Sequence, residues 1–251
     1  MTLKQWIYSS YPNPYKDGHF GLLHLLTLVF IAGFVVVSTM LLRKSDAKSK
    51  KMVLFVFALI LIFFEVARRV INLCKTPDMD SNQLLKTLLP RPGCAISVWL
   101  VFIAVIVNKK FFYNFASIIG ILCGIIFFVY PEAGYNNQYL LFENVYSIIS
   151  HTVFFTGAIC FITYGFTDFT YKDAWKELIS LAVLLVYTFL EIYVLKTEPD
   201  PFYFMPKNEV QEIVGMSYAS YLPCYLVFIV AYVALFYFIK WYKEKKKNIV
   251  E

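Results

Sequence analysis

Seven apolar stretches, each about as long as a membrane-crossing helix, leave this chain few folds to choose from. They run over about 20–42, 52–75, 89–107, 111–130, 141–164, 174–195 and 219–242. About 20 apolar residues in a helix cross a hydrocarbon core of about 30 Å. In lipid the backbone must satisfy its own N–H and C=O groups, which makes the helix the economical choice for such blocks. No stretch between them is long enough to bury a core of its own. Charged residues make up only 16% of the chain and apolar residues 59%, against about 25% and 45–50% in soluble domains. The expectation is an all-α polytopic membrane protein, a single domain over 1–251, with seven transmembrane helices.

Charge sets the orientation. The loops after the first, third and fifth blocks and the C-terminal tail, with Lys176 and Lys240 at the adjoining block ends, hold fourteen Lys and Arg, and the opposite side holds seven. Short loops rich in Lys and Arg stay on the cytoplasmic side, so the N-terminus is expected outside and the C-terminus inside. The net charge of +6 is therefore a topology signal. No basic surface interleaved with aromatics points to nucleic acid. No charged n-region leads into a short apolar segment with a cleavage site, so no removed signal peptide is expected. The location implied is the plasma membrane, multi-pass.

With that orientation, the polar residues inside the blocks gather in the outer half. Glu65, Arg68, Arg69 and Asn72 stand at offsets 0, 3, 4 and 7, one stripe of the second helix. Asn144, Ser147 and His151, at offsets 0, 3 and 7, form one stripe of the fifth. Glu191 lies near the outer end of the sixth, and His24 near that of the first. An ionic group at the bilayer centre costs at least about 2.5–3.5 kcal/mol, so such groups face the bundle interior and find partners. Glu65 is expected to pair with Arg68, Arg69 or a neighbouring helix. Structural pairing and functional use weigh equally for this stripe, and His24 reads better as an interhelical hydrogen-bonder. The asymmetry argues for a polar cavity open to the outside.

One stretch stands out within this frame. Leu89-Pro90-Arg91-Pro92-Gly93-Cys94 is a turn followed by a cysteine, which then lies in the first turn of the third helix. The helix N-terminus favours a thiolate there, and an imidazole within reach would activate the thiol as a nucleophile. His151 is the candidate. By spacing alone, one Cys and one His on separate helices is thin support. The other four cysteines, Cys74, Cys123, Cys160 and Cys224, match no zinc spacing and read as small apolar packers. Gly120 and Gly124 make a Gly-x-x-x-Gly suited to close helix packing.

From about Leu88 onward the chain resembles the YwaF family of bacterial integral membrane proteins, relatives of a eukaryotic TMEM-type acyltransferase of ether phospholipids. The residues that carry the resemblance are Leu89-Pro90 ahead of Cys94, the pair Ser150-His151, and Tyr193 followed by the prolines from Pro199 to Pro206. Where that family has a histidine between the proline and the cysteine, this chain has Arg91, Pro92 and Gly93. The resemblance implies that Cys94 carries an acyl group and that His151 assists it.

The function expected is thus a membrane-embedded lipid acyltransferase or transacylase, using Cys94 and His151 in an outward-facing cavity. Its partners would be membrane phospholipid or lipoprotein. Arg68, Arg69 and Arg91 are candidates for a headgroup phosphate, with Glu65, Glu191, Asn144 and Ser147 lining the site. No metal and no dissociable cofactor is implied. The alternatives are a transporter or substrate-binding membrane subunit whose cavity binds a solute without chemistry, and a scaffold whose polar stripes only pack helices.

Overall fold

The computed structural model describes residues 1–9, 21–90, 93–130, 132–135, 140–196 and 202–250. Every described regular element is helical: α1 (Leu3–Tyr8), α2 (Leu22–Arg43), α3 (Ala47–Lys75), α4 (Ser81–Leu88), α5 (Gly93–Val107), α6 (Lys110–Val129), α7 (Glu132–Tyr135), α8 (Phe142–Thr163), α9 (Ala174–Phe189), α10 (Glu209–Val214) and α11 (Tyr218–Val250). A helix stands at each of the seven expected positions. Five of them, α2, α6, α8, α11 and α9 with its flanking turns, are long and apolar enough to cross a membrane. A sixth span results if α4 and α5 count as one, bent by 55°.

The last helix runs on to Val250 rather than ending at 242, and the boundaries depart from expectation in four further places. α3 starts at Ala47 rather than 52, because Asp46 caps it: its carboxylate accepts from the Ser49 N–H at 3.2 Å. Hydrogen bonds from Ser49, side chain first and backbone second, hold the Asp46 carboxyl below its ordinary range. Within the polar stretch expected as a loop over 76–88, α4 forms on a capping box in which Asp80 and Gln83 bond each other's backbone N–H. In the third apolar block the described helix runs over Gly93–Val107. The sixth block stays α-helical to Phe189 and then widens to a π-turn over Leu190–Val194.

The chain divides into two compact units, Met1–Phe166 and Thr167–Glu251. In the first, α3, α5, α6 and α8 pack on one another around Leu54, Leu61, Val98, Ile118, Phe154 and Phe161, all almost fully buried. Asn108 turns α5 into α6 with a positive φ of 52°, a conformation asparagine tolerates better than most residues. Tyr113 Oη donates to its side chain at 3.1 Å. Glycines then let α6 approach α8. A Cβ on Gly120 would stand 3.0 Å from Ala158 Cβ, and one on Gly124 would stand 2.9 Å from Phe155 Cβ. α8 ends at Gly165, whose φ of 81° closes the helix while the Phe166 N–H bonds the Phe161 carbonyl at 2.9 Å.

In the second unit, a tyrosine ladder on α11 holds the 202–204 segment. Tyr218, Tyr221 and Tyr225 donate to the carbonyls of Phe204, Tyr203 and Phe202 at 3.3, 2.6 and 2.6 Å.

Candidate functional site

Glu65 on α3 is fully buried and gathers three side chains. Arg68 Nη2 reaches both carboxylate oxygens at 3.2 Å, Arg69 Nη2 reaches Oε1 at 2.5 Å, and Tyr146 Oη donates to Oε2 at 2.9 Å. The two arginines arrive one helical turn along the same stripe, while Tyr146 comes across from α8. Two guanidiniums on one carboxylate leave the cluster net cationic. Arg68 also sits over the Tyr146 ring at 5.5 Å and keeps 23% of its side chain exposed, so it is the arginine open to a ligand.

Arg69 is engaged elsewhere. Its Nη1 donates to the carbonyls of Thr87, Leu88 and Leu89, at 3.0 Å for the first and 3.2 Å for the last. These are carbonyls at the C-terminal end of α4, where a helix leaves acceptors unmet and favours a cation. Glu65 thus orients Arg69, and Arg69 fixes the chain immediately ahead of the turn that leads to Cys94. Two buried donors beside it, Arg69 Nε and Trp99 Nε1, have no acceptor among the described residues. The Arg69 guanidinium lies 5.9 Å from the Trp99 ring centre.

Cys94 lies in the first turn of α5, half-buried, near Cys123 of α6. Cys123 also meets the Ser97 hydroxyl. His151 lies on α8 with Nδ1 2.6 Å from the Ser147 carbonyl. A carbonyl only accepts, so Nδ1 carries the proton and the neutral ring presents Nε2 as a bare lone pair. That Nε2 is buried without a hydrogen-bond partner, and the ring stacks on Phe127 at 3.5 Å.

Helix register relates the two residues. α5 and α6 form an antiparallel hairpin, and α6 runs antiparallel to α8, with Gly120 opposite Ala158 and Phe127 opposite His151. α5 and α8 are therefore parallel. A Cβ on Gly157 would meet Val101 Cγ1 at 3.7 Å. Two turns back on each helix are Cys94 and Ser150, so Cys94 stands within about one turn (5.4 Å) of the level of Ser150 and His151. Ser150 Oγ is buried and unpartnered as well. No hydrogen bond joins Cys94 to His151 among the described residues, and Nε2 has no partner there.

The family model described as the TMEM164 family matches residues 18–242. The chain belongs to that family. No curated protein and no solved structure matches it. Membership in the TMEM164 family agrees with a membrane protein of apolar helices, and both Cys94 and His151 fall inside the matched stretch.

The remaining candidates are spread out. Asn144 serves α8 itself: its Oδ1 accepts from the Leu141 N–H at 3.3 Å and its Nδ2 donates to the Gly134 carbonyl at 3.1 Å. Ser147 contributes its carbonyl to His151, with its hydroxyl 3.5 Å from the ring. His24 Nε2 donates to the Phe128 carbonyl at 3.1 Å. Glu191 belongs to the second unit, fully buried in the π-turn and accepting from Tyr187 Oη at 2.9 Å. Tyr193 is exposed. Arg91, Pro92, Pro199 and Pro201 lie outside the described residues. Among the described residues no three of His, Cys, Asp and Glu converge as metal ligands would.

Three residues at the site carry no sequence signal of their own. Tyr146 lies off the Asn144–Ser147–His151 stripe, Trp99 passes for an apolar residue in an apolar helix, and Cys123 reads as a packer. Only the Gly-x-x-x-Gly around Cys123 hints that the thiol stands where helices come close.

Proposed function

We propose that this protein is a membrane-embedded lipid acyltransferase or transacylase in which Cys94 carries the acyl group and His151 is its base. The observation that carries the reading is the tautomer of His151. With Nδ1–H held by the Ser147 carbonyl, Nε2 is an unprotonated, unpartnered acceptor at the level of a half-buried thiol. That is the arrangement a nucleophile–base pair requires, and such pairs commonly tighten only on substrate binding.

The chemistry follows from those two groups. Nε2 takes the thiol proton, and the sulfur attacks the carbonyl carbon of an acyl ester. The C–O bond breaks, and the leaving alkoxide receives the proton from the imidazolium. A lipid hydroxyl or amine, or water, then attacks the thioester carbonyl and gives its proton to Nε2; the C–S bond breaks, and the leaving Cys94 sulfur takes that proton back. Arg68, the more exposed of the two arginines on Glu65, and Arg91 would take the headgroup phosphate. Arg69 Nε and Trp99 Nε1, donors without acceptors, suit an ester or phosphate oxygen. Glu65 and Arg69 would hold the approach to Cys94 in place. The same reading places the chain in the plasma membrane as one transmembrane domain of seven spans, N-terminus outside, with the ion-paired α3 and the α4–α5 pair completing the count.

The test is intact mass spectrometry after incubation with acyl-labelled phospholipid. Wild type is expected to gain the acyl mass, Cys94→Ala to gain none, and His151→Ala to gain it at least about tenfold more slowly, within the 10²–10⁴-fold range typical of a lost general base. Label that persists in Cys94→Ala overturns the assignment.

A further inference from the structure

The cluster around Glu65 holds a charge and three donors that the protein leaves unmet. One carboxylate faces two guanidiniums, so one positive charge is left over in a largely buried setting. An ionic group inside a membrane protein needs a counter-charge, and the α4 carbonyls on Arg69 supply only part of one. The donors surround that charge. Arg68 gives Nε and Nη2 to Glu65 and has no acceptor for Nη1 among the described residues. Arg69, 7% exposed, has none there for Nε, and Trp99 has none for Nε1. Glu65 Oε1 accepts from Nη2 of both arginines, at 3.2 and 2.5 Å, so the guanidiniums stand side by side. The Trp99 ring centre lies 5.9 Å from that of Arg69. A buried donor without an acceptor is costly, and a buried indole N–H ordinarily has one.

We propose that this cluster seats an anionic phospholipid, one whose headgroup carries a phosphate and no amine. A phosphodiester brings the one negative charge that the cluster lacks. Its free oxygens accept from Arg68 Nη1, Arg69 Nε and Trp99 Nε1, the planar guanidinium being well shaped for phosphate. A headgroup ammonium finds no place here. The Glu65 carboxylate is already bonded by both arginines and by Tyr146, and the Tyr146 ring already faces the Arg68 guanidinium at 5.5 Å. Neither an acceptor nor an open aromatic face is left for a second cation. As the class of lipid acted on, this inference rests on the acyl-transfer reading; as a binding site, it rests on the cluster alone.

The experiment is native mass spectrometry of the full chain in a neutral detergent, with dioleoyl phosphatidylglycerol, phosphatidylcholine or phosphatidylethanolamine added in turn. Wild type is expected to hold one phosphatidylglycerol at least about tenfold more tightly than either zwitterionic lipid. Arg68→Gln and Trp99→Phe are each expected to weaken that binding about tenfold, as the loss of a hydrogen bond to a charged acceptor should. Equal affinity for the three lipids in wild type overturns the proposal without any variant, and so does a preference that survives both substitutions. A preference lost when Lys243, Lys245 and Lys246 become Gln, but kept in Arg68→Gln, belongs to the basic tail and overturns it as well. Inorganic phosphate that displaces the lipid at equal concentration makes this a site for free phosphate and overturns the lipid assignment. No turnover is needed. A chain that binds phosphatidylglycerol but gains no acyl mass loses the acyl-transfer reading and keeps this site.

Discussion

At the residue scale, Glu65 is the group on which its neighbours depend. Its carboxylate faces two guanidiniums and a phenol. Replacing it with Gln leaves two cations around a neutral amide in a buried setting, which should cost about 3–5 kcal/mol of stability. Tyr146→Phe removes one hydrogen bond to a charged acceptor and should cost less, about 1.5–3 kcal/mol. The pair should also be non-additive, because the phenol's contribution depends on the carboxylate. Thermal unfolding of the three variants in one detergent checks this. Tyr146→Phe falling as far as Glu65→Gln would remove the carboxylate from the centre of the cluster. Three of the four members of this cluster are visible in the sequence. Spacing alone puts Glu65, Arg68 and Arg69 on one stripe, because partners on one helix share its period. Tyr146 reaches its partner across helices, and no period within one chain segment records that. The same holds for Arg69 and its carbonyls, which lie 18 to 20 residues downstream.

At the scale of elements, the close approach of α6 to α8 holds His151 in register. Gly120 and Gly124 face α8 with almost no room, and Gly124 is the more crowded, since its Cβ would fall on the backbone-proximal atoms of Phe155. An added methyl there must push two helices apart, which should cost about 1–3 kcal/mol. Gly120→Ala, meeting only the edge of Ala158, should cost less. The displacement would also reach the Phe127–His151 stack, less than one turn further along α6. Gly124→Ala as stable as wild type in a detergent melt would contradict the packing described. The seven apolar blocks each hold a helix, so the main elements are legible from hydropathy. Two features are not. α4 lies in a polar stretch and has its C-terminal carbonyls met by Arg69, a tertiary contact. The π-turn at Leu190–Val194 inserts a residue into a helix without any change in hydropathy around Glu191.

At the scale of the molecule, the open quantity is how many times the chain crosses the bilayer. Length and composition admit five spans, or six with α4 and α5 combined. α3 is long enough, at 29 residues, but its charges weaken its apolar signal. Those in its C-terminal half, Glu65, Arg68 and Arg69, neutralise one another in part, which lowers the cost of placing them in lipid. α5 has 15 residues and rises about 22 Å, short of a core of about 30 Å unless the Leu-Pro segment ahead of it is also embedded. Counting both gives seven crossings and puts the termini on opposite sides, whereas leaving out either one puts them on the same side. The charge asymmetry of fourteen Lys and Arg against seven then selects the C-terminus as the inner end. Epitope tags on both ends of the full chain, probed with protease on intact cells, separate these cases. The N-terminal tag is expected to be cleaved and the C-terminal tag protected until the membrane is opened. Matching behaviour of the two tags would mean an even number of crossings, and a reversed pattern would mean that the charge asymmetry does not orient this chain. Cys94 lies next to the end of α5 that the seven-span topology turns outward, so on that topology a lipid would reach the thiol from the outer leaflet.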